Sequence, residues 1–229
     1  SELTNTFDFN TSPYLSSLRQ KFNQGQRPVE CNRCWSAEKV GHKSRRQSAI
    51  EFYNNTPSAE VQLESIDYSA TWACNMACIM CGPQSSSLWA SELNYDSEQL
   101  VKIGRKFQKD NTVLGRLDVT HVKKIHFNGG EPFLNNHQLN LLEQLEQQDV
   151  LKNTFISYNT NGSIFPSQKI IEHWARSQLV KLFFSIDATG SAFEYIRWPG
   201  KWNEVSANIQ SMREQLSLIH ISEPTRPER

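Results

Sequence analysis

Three cysteines stand within eight residues of this sequence, in the segment CNMACIMC at positions 74–81. The spacing C-x3-C-x2-C lets three thiolates from one loop converge on a single metal centre. A structural zinc site takes four protein ligands, and an electron-transfer iron–sulfur cluster takes four cysteines. Three cysteines therefore leave one metal position open, and an open position is typical of a reactive metal. The alternatives are a partial zinc site or three buried thiols.

The rest of the chain predicts the elements that must position this loop. Strand patterns alternate with helical patterns from residue 64 on, and this alternation indicates an α/β fold with a parallel sheet. Ile125 and Phe127 share one strand face, and Leu139, Leu142 and Leu145 have helical spacing. The predicted strands are 64–73, 122–128, 154–162 and 180–187, and the predicted helices are 85–93, 135–148, 167–177 and 200–216.

Short polar motifs follow each predicted strand. They are the cysteine triplet, NGGEP at 128–132, NTNG at 159–162 and SIDA at 185–188. In parallel α/β folds the functional groups collect at the carboxyl ends of the strands. We therefore expect these four motifs to lie together. For NGGEP, the alternative is an ordinary tight turn.

Composition excludes several classes of protein. The chain has 229 residues, 38% of them hydrophobic, and this length is ample for a domain with a buried core. Its formal net charge is zero. No basic stripe predicts nucleic-acid binding, and no run of roughly eighteen apolar residues predicts a membrane span. The five cysteines form a pair and a triplet, unlike a secreted disulfide framework. We expect a cytoplasmic protein whose cysteines bind metal.

Two of these motifs resemble the hallmarks of a known superfamily, the radical S-adenosylmethionine (radical SAM) enzymes. CNMACIMC after the first strand resembles their cluster loop, and GGEP at 129–132 resembles their second motif. TNG at 160–162 and SID at 185–187 are similar as well, whereas Met80 replaces an aromatic residue common in that position. The resemblance covers about residues 64–215. It implies a partial (β/α) barrel, truncated after about four βα units.

The resemblance also implies cofactors and a reaction. Cys74, Cys78 and Cys81 would ligate a [4Fe–4S] cluster, and the remaining iron would bind the amino and carboxylate groups of S-adenosyl-L-methionine (SAM). One electron would cleave SAM to methionine and a 5′-deoxyadenosyl radical, which abstracts hydrogen from a substrate. An electron donor such as flavodoxin or ferredoxin would reduce the cluster.

Further residues take roles by the same resemblance. Gly129 and Gly130 would let the backbone approach the ligand, because they lack a Cβ. Glu131 would accept a hydrogen bond from the SAM ammonium, and Pro132 would fix the turn.

Four residues farther along the chain are candidates for polar contacts to SAM. Asn161, Ser185 and Asp187 would contact the ribose or the methionine end, and Asn161 and Asp187 have the alternative of simple strand-end caps. Arg197, in the segment YIRWPG, would pair with the SAM carboxylate. Its alternative is a surface or salt-bridge residue.

An N-terminal pair, Cys31 and Cys34, raises a separate question. It follows a predicted helix at 11–25 and precedes a charged helical stretch at 36–55. A C-x2-C pair suits half a zinc site, a redox pair or half an auxiliary cluster. Its context resembles the closing segment of SPASM or twitch modules, although those usually follow the core. This resemblance implies a second [4Fe–4S] cluster and a peptide or protein substrate; zinc or no metal are the alternatives.

These observations predict a fragment of a radical SAM enzyme in three segments. Residues 1–63 carry the C-x2-C pair, and residues 64–215 form an incomplete core. Residues 216–229 resemble the translation of a sequencing adapter, with no strand or helix pattern. One alternative function is radical modification of a small metabolite, cofactor precursor or nucleobase. Another is a non-catalytic iron–sulfur or zinc protein, which the absence of a fourth clustered cysteine disfavours.

Overall fold

The computed structural model describes residues 12–53, 62–69, 71–96, 98–103 and 117–220, and for 218–220 the backbone alone. The chain divides into two compact units between Gln62 and Leu63. Most of the segment that resembles a sequencing adapter, 221–229, lies outside the described residues.

The described part of the first unit is helical. Its helices are α1 (Pro13–Asn23), α2 (Asn32–Lys39) and α3 (Arg45–Phe52), with a 3-10 turn at Val29–Cys31 before α2. The prediction of one continuous helix over the charged stretch is wrong, because the chain leaves the helical conformation at residues 40–44. Gly41 has a φ of +79° there, and Ser44 begins α3 with a capping box that it shares with Gln47.

The second unit is built on a parallel sheet. Its strands are β1 (Ser65–Ser69), β2 (Lys124–Asn128), β3 (Phe155–Thr160) and β4 (Leu179–Phe184), in the order β1-β2-β3-β4. Adjacent strands are parallel throughout, with Ile125 in register with Ile66 and Ile156. The predicted α/β class, a partial (β/α) barrel, is confirmed.

Helices separate or follow these strands. They are α4 (Ser87–Glu92), α5 (Leu139–Gln147), α6 (Gln168–Arg176), α7 (Gly190–Ile196) and α8 (Trp202–His220). The sequence pattern missed α7. It also ended α8 at Leu216, whereas the helix continues to His220, and Leu216 packs against the core. In the described part of the chain, no helix is both long and apolar enough to cross a membrane.

The core lies between one face of the sheet and helices α5 and α6. Ile125, Phe127 and the leucines of α5 point into it, as predicted. Tyr158 is fully buried at its centre and stacks on Phe127 with ring centroids 4.8 Å apart. Trp174 Nε1 donates to the Tyr158 hydroxyl at 3.1 Å, so this polar pair is satisfied inside the core. The packed rings hold the sheet from which the motif loops emerge.

Candidate functional site

Residues 71–82, here named the cluster loop, follow β1 and carry the cysteine triplet. All three cysteines are free thiols; Cys78 is buried, Cys74 is half-buried and Cys81 is exposed. Burial, with a smaller contribution from charge on neighbouring thiols, raises the pKa of Cys74 and raises that of Cys78 to about 11, even though Arg197 lowers the pKa of Cys78. The three sulfur atoms are therefore close enough to interact electrostatically. Without a metal, these surroundings favour the protonated thiol at Cys74 and at Cys78.

The glycines of GGEP hold the cluster loop by close backbone contact. Gly130 N donates to Thr71 O at 2.9 Å, and Glu131 N donates to Ala73 O at 2.8 Å. A Cβ on Gly130 would lie 2.1 Å from Ala73 O, and Gly129 has a φ of +116°. The lack of a Cβ at these glycines thus allows close contact with the cluster loop, and their predicted approach to the ligand stays a prediction.

Glu131 ties the end of β2 to the end of β3. Its side chain is fully buried, and its carboxylate accepts from Thr160 Oγ1 at 2.8 Å, Asn161 N at 2.8 Å and Phe133 N at 3.1 Å. The predicted hydrogen bond from the SAM ammonium stays a prediction, because the three internal donors leave one acceptor position of the carboxylate unused. Pro132 begins a buried 3-10 turn, Pro132–Leu134, in keeping with its predicted role in the turn.

We expect Glu131→Gln to destabilise the second unit by about 2 kcal/mol, because one carboxylate oxygen becomes an NH2 group that faces N–H or O–H donors. Burial raises the pKa of Glu131 in the fold. Protonation of Glu131 therefore contributes to the free energy of unfolding of the wild type. This contribution is complete at pH values below the unfolded-state pKa and is lost as the pH rises through the folded-state pKa. Urea titrations between pH 4 and 8 test both effects.

The exposed Glu143→Gln on α5 is the matched control, and we expect it to change stability by less than about 0.5 kcal/mol. Equal effects of the two substitutions would contradict the assigned role of Glu131.

Asn161 faces the cluster loop from the end of β3. Its Nδ2 donates to Asn75 Oδ1 at 3.0 Å and lies 3.9 Å from Cys74 Sγ. Asn75 Nδ2 in turn donates to Ser163 Oγ at 2.8 Å. Asn161 therefore contacts the loop that holds the cysteines, and its predicted contact with SAM stays a prediction. Sequence reasoning missed Asn75 and Ser163, because they are 88 residues apart and no local pattern joins them.

Arg197 approaches the loop from the opposite side. Its Nε and Nη2 both lie 2.7 Å from Asp187 Oδ2, and its Nη1 lies 3.6 Å from Cys78 Sγ. Arg197 is thus part of a salt bridge, and its side chain is 11% exposed. Its predicted pairing with the SAM carboxylate stays a prediction. Ser185 is half-buried, and its predicted SAM contact stays a prediction.

Helix α4 supports the loop from a third direction. Ser87 Oγ lies 3.1 Å from both the backbone nitrogen and the carbonyl oxygen of Cys74. Trp89 Nε1 donates to Cys78 O at 2.8 Å. Sequence reasoning placed this helix but missed both contacts. The run of serines before it, a common helix start, was the only available signal.

The other cysteine pair belongs to the first unit. Cys31 ends the 3-10 turn and Cys34 lies in α2, and both are half-buried free thiols. Arg46 lies 4.8 Å from the centre of the Trp35 ring, and its pKa is raised chiefly by its hydrogen bond to Glu38, with a smaller contribution from charge on the two thiols. A cation therefore lies close to this pair.

The donor set of the cluster loop fits a [4Fe–4S] cluster, which takes cysteine thiolates as its ligands. A cubane distributes its cysteine ligands over separate irons. Three free thiols on a loop braced from three sides supply three such ligands, and the Arg197 guanidinium complements a negatively charged sulfur.

A parallel sheet with a three-cysteine loop after its first strand defines a radical SAM core, and the predicted superfamily is confirmed. Residues 70–196, more than half of the chain, match the family described as "4Fe-4S single cluster domain", and the chain belongs to that family.

Two curated relatives are similar to this chain. The GTP 3′,8-cyclase of Petrotoga mobilis is 29% identical over 157 residues, which cover 66% of this chain and 44% of the relative. The GTP 3′,8-cyclase of Desulforamulus reducens is 26% identical over 147 residues, which cover 64% and 41%. The chain thus spans less than half the length of these relatives.

Proposed function

We propose that this chain provides the catalytic core of a radical SAM enzyme. Cys74, Cys78 and Cys81 hold a [4Fe–4S] cluster, and SAM binds at the iron that lacks a protein ligand. The observation that carries this proposal is the bracing of the cluster loop by GGEP, by Asn161 and by Arg197. When bound, the cluster supplies the electron that cleaves SAM to the 5′-deoxyadenosyl radical, which abstracts hydrogen from the substrate.

The chain's own residues orient the thiols and exclude water. Met76, Cys78, Phe193 and Val205 form a small buried apolar cluster beneath the loop. This packing shields the inner side of the site, which protects reactive species from solvent. The side chain of Asp187 is 42% exposed beside Arg197, and we retain Asp187 and Ser185 as proposed polar contacts for SAM.

Two substrate classes follow from different observations. The resemblance of the N-terminal segment to SPASM and twitch modules supports a peptide or protein substrate, with a second [4Fe–4S] cluster at Cys31 and Cys34. The names of the two relatives support a nucleotide such as GTP, within the small-molecule alternative. In either case a cytoplasmic electron donor of the flavodoxin or ferredoxin type reduces the cluster.

The test is the EPR spectrum of the anaerobically reconstituted, dithionite-reduced chain, recorded with and without SAM. We expect a reduced [4Fe–4S] signal that changes when SAM is added. An iron–sulfur signal indifferent to SAM would contradict SAM binding, and bound zinc without an iron signal would contradict the cluster.

The two substrate classes are compared in a second assay, which measures release of 5′-deoxyadenosine. Stimulation by GTP but not by peptides supports the nucleotide alternative, and the reverse supports the peptide.

A further inference from the structure

Two backbone hydrogen bonds join the segment 196–198 to the cluster loop. Ala77 N donates to Trp198 O at 2.7 Å, and Ile79 N donates to Ile196 O at 2.9 Å. Cys78 lies between the two donors and Arg197 lies between the two acceptors. The two hydrogen bonds therefore bring Cys78 and Arg197 together.

Asp187 fixes the direction of the Arg197 side chain. Two guanidinium nitrogens bind the same carboxylate oxygen at 2.7 Å, and the third lies 3.6 Å from Cys78 Sγ. Cys78 is 3% exposed and Arg197 is 9% exposed. Because water screens this contact little, charge on Arg197 acts strongly on the sulfur.

We propose that Arg197 is a positioning residue that raises the reduction potential of the cluster held at Cys78, and that Asp187 orients it. The inference rests on the proposed function. Hydrogen bonds and net charge near a ligating sulfur set the potential of an iron–sulfur cluster. A cation beside the sulfur favours the reduced cluster, which carries one more electron. A purely structural salt bridge would leave the potential unchanged.

The experiment measures the midpoint potential of the reconstituted full chain by EPR-monitored redox titration, without SAM. Arg197→Gln is expected to lower the reduced-to-oxidised ratio at a fixed potential about tenfold, a shift of about 59 mV for one electron. Arg197→Lys keeps the charge and is expected to shift less. Asp187→Ala removes the carboxylate that orients Arg197 and is expected to lower the potential, whereas the loss of a negative charge alone would raise it.

The matched control is Arg176→Gln, since Arg176 pairs with Glu146 on the surface, away from the cysteines. We expect no shift in this control. An unchanged potential in Arg197→Gln with full iron content overturns the inference. If Arg197→Gln fails to hold iron, Asp187→Ala decides: a downward shift supports the inference, and an upward shift or no shift overturns it. A wild-type chain that assembles no cluster overturns the proposed function itself, and the inference with it.

Discussion

Replacing Cys78 by alanine is expected to abolish assembly of the core cluster, with the loss of about four iron atoms per chain. Cys78 is the most buried of the three thiols, and Trp89, Arg197 and the backbone hydrogen bonds of Ala77 and Ile79 constrain its surroundings. No other side chain in that position can donate a thiolate. Iron and sulfide content after anaerobic reconstitution, together with the EPR response to SAM, measure the effect.

Cys31→Ala is the matched control, because it removes a half-buried thiol from the first unit. We expect it to keep the SAM-responsive signal. If the first unit holds a second cluster, Cys31→Ala loses about four iron atoms per chain while that signal persists. A full SAM-responsive cluster in the Cys78→Ala chain would contradict the ligand assignment. Circular dichroism shows whether either variant has merely unfolded.

The second large effect is expected from Gly130→Ala, which should destabilise the second unit by about 3 kcal/mol. The added Cβ would lie 2.1 Å from Ala73 O and 2.6 Å from Ala73 C, so the backbone itself must move. That movement breaks the hydrogen bonds that Gly130 N and Glu131 N donate to the cluster loop. Denaturant titration gives the free energy of unfolding, and iron content reports whether the loop still holds its cluster.

Gly82→Ala is the control for this substitution, since Gly82 ends the same loop. A Cβ there meets no atom within 4 Å, and Gly82 does not require a positive φ. We expect it to change stability by less than about 1 kcal/mol and to leave the iron content intact. If both glycine substitutions had the same effect, the close contact at Gly130 would not be what holds the loop.

The regular elements were predictable where local periodicity is strong. Leu139, Leu142 and Leu145 lie on one buried face of α5, and Ile125 and Phe127 lie on one buried face of β2. The helix α7 was missed because it is short and begins at Gly190, which lacks a strong start signal. The break between α2 and α3 was missed because Gly41 lies within a charged pattern that both helices share.

The site was predictable in its composition but not in its contacts. The motifs identified the cysteines and GGEP, because chemistry and chain spacing restrict them. The roles of Glu131 and Arg197 could not be derived, because their partners are distant in sequence: Thr160 lies 29 residues from Glu131, and Cys78 lies 119 residues from Arg197. The motifs suggested contacts with SAM for both residues, and they gave no sign of these internal contacts.

The pairing of Cys78 with Arg197 also has a consequence for the order in which the chain is made. Cys78 leaves the ribosome 119 residues before Arg197. At about 5–20 residues per second, this interval lasts roughly 6–24 seconds. During that time the nascent cysteines lack the segment 196–198, whose carbonyl groups later accept hydrogen bonds from their loop. The thiols therefore depend for that interval on the reducing capacity of their surroundings, and the shielded site is completed only near the end of translation of this segment.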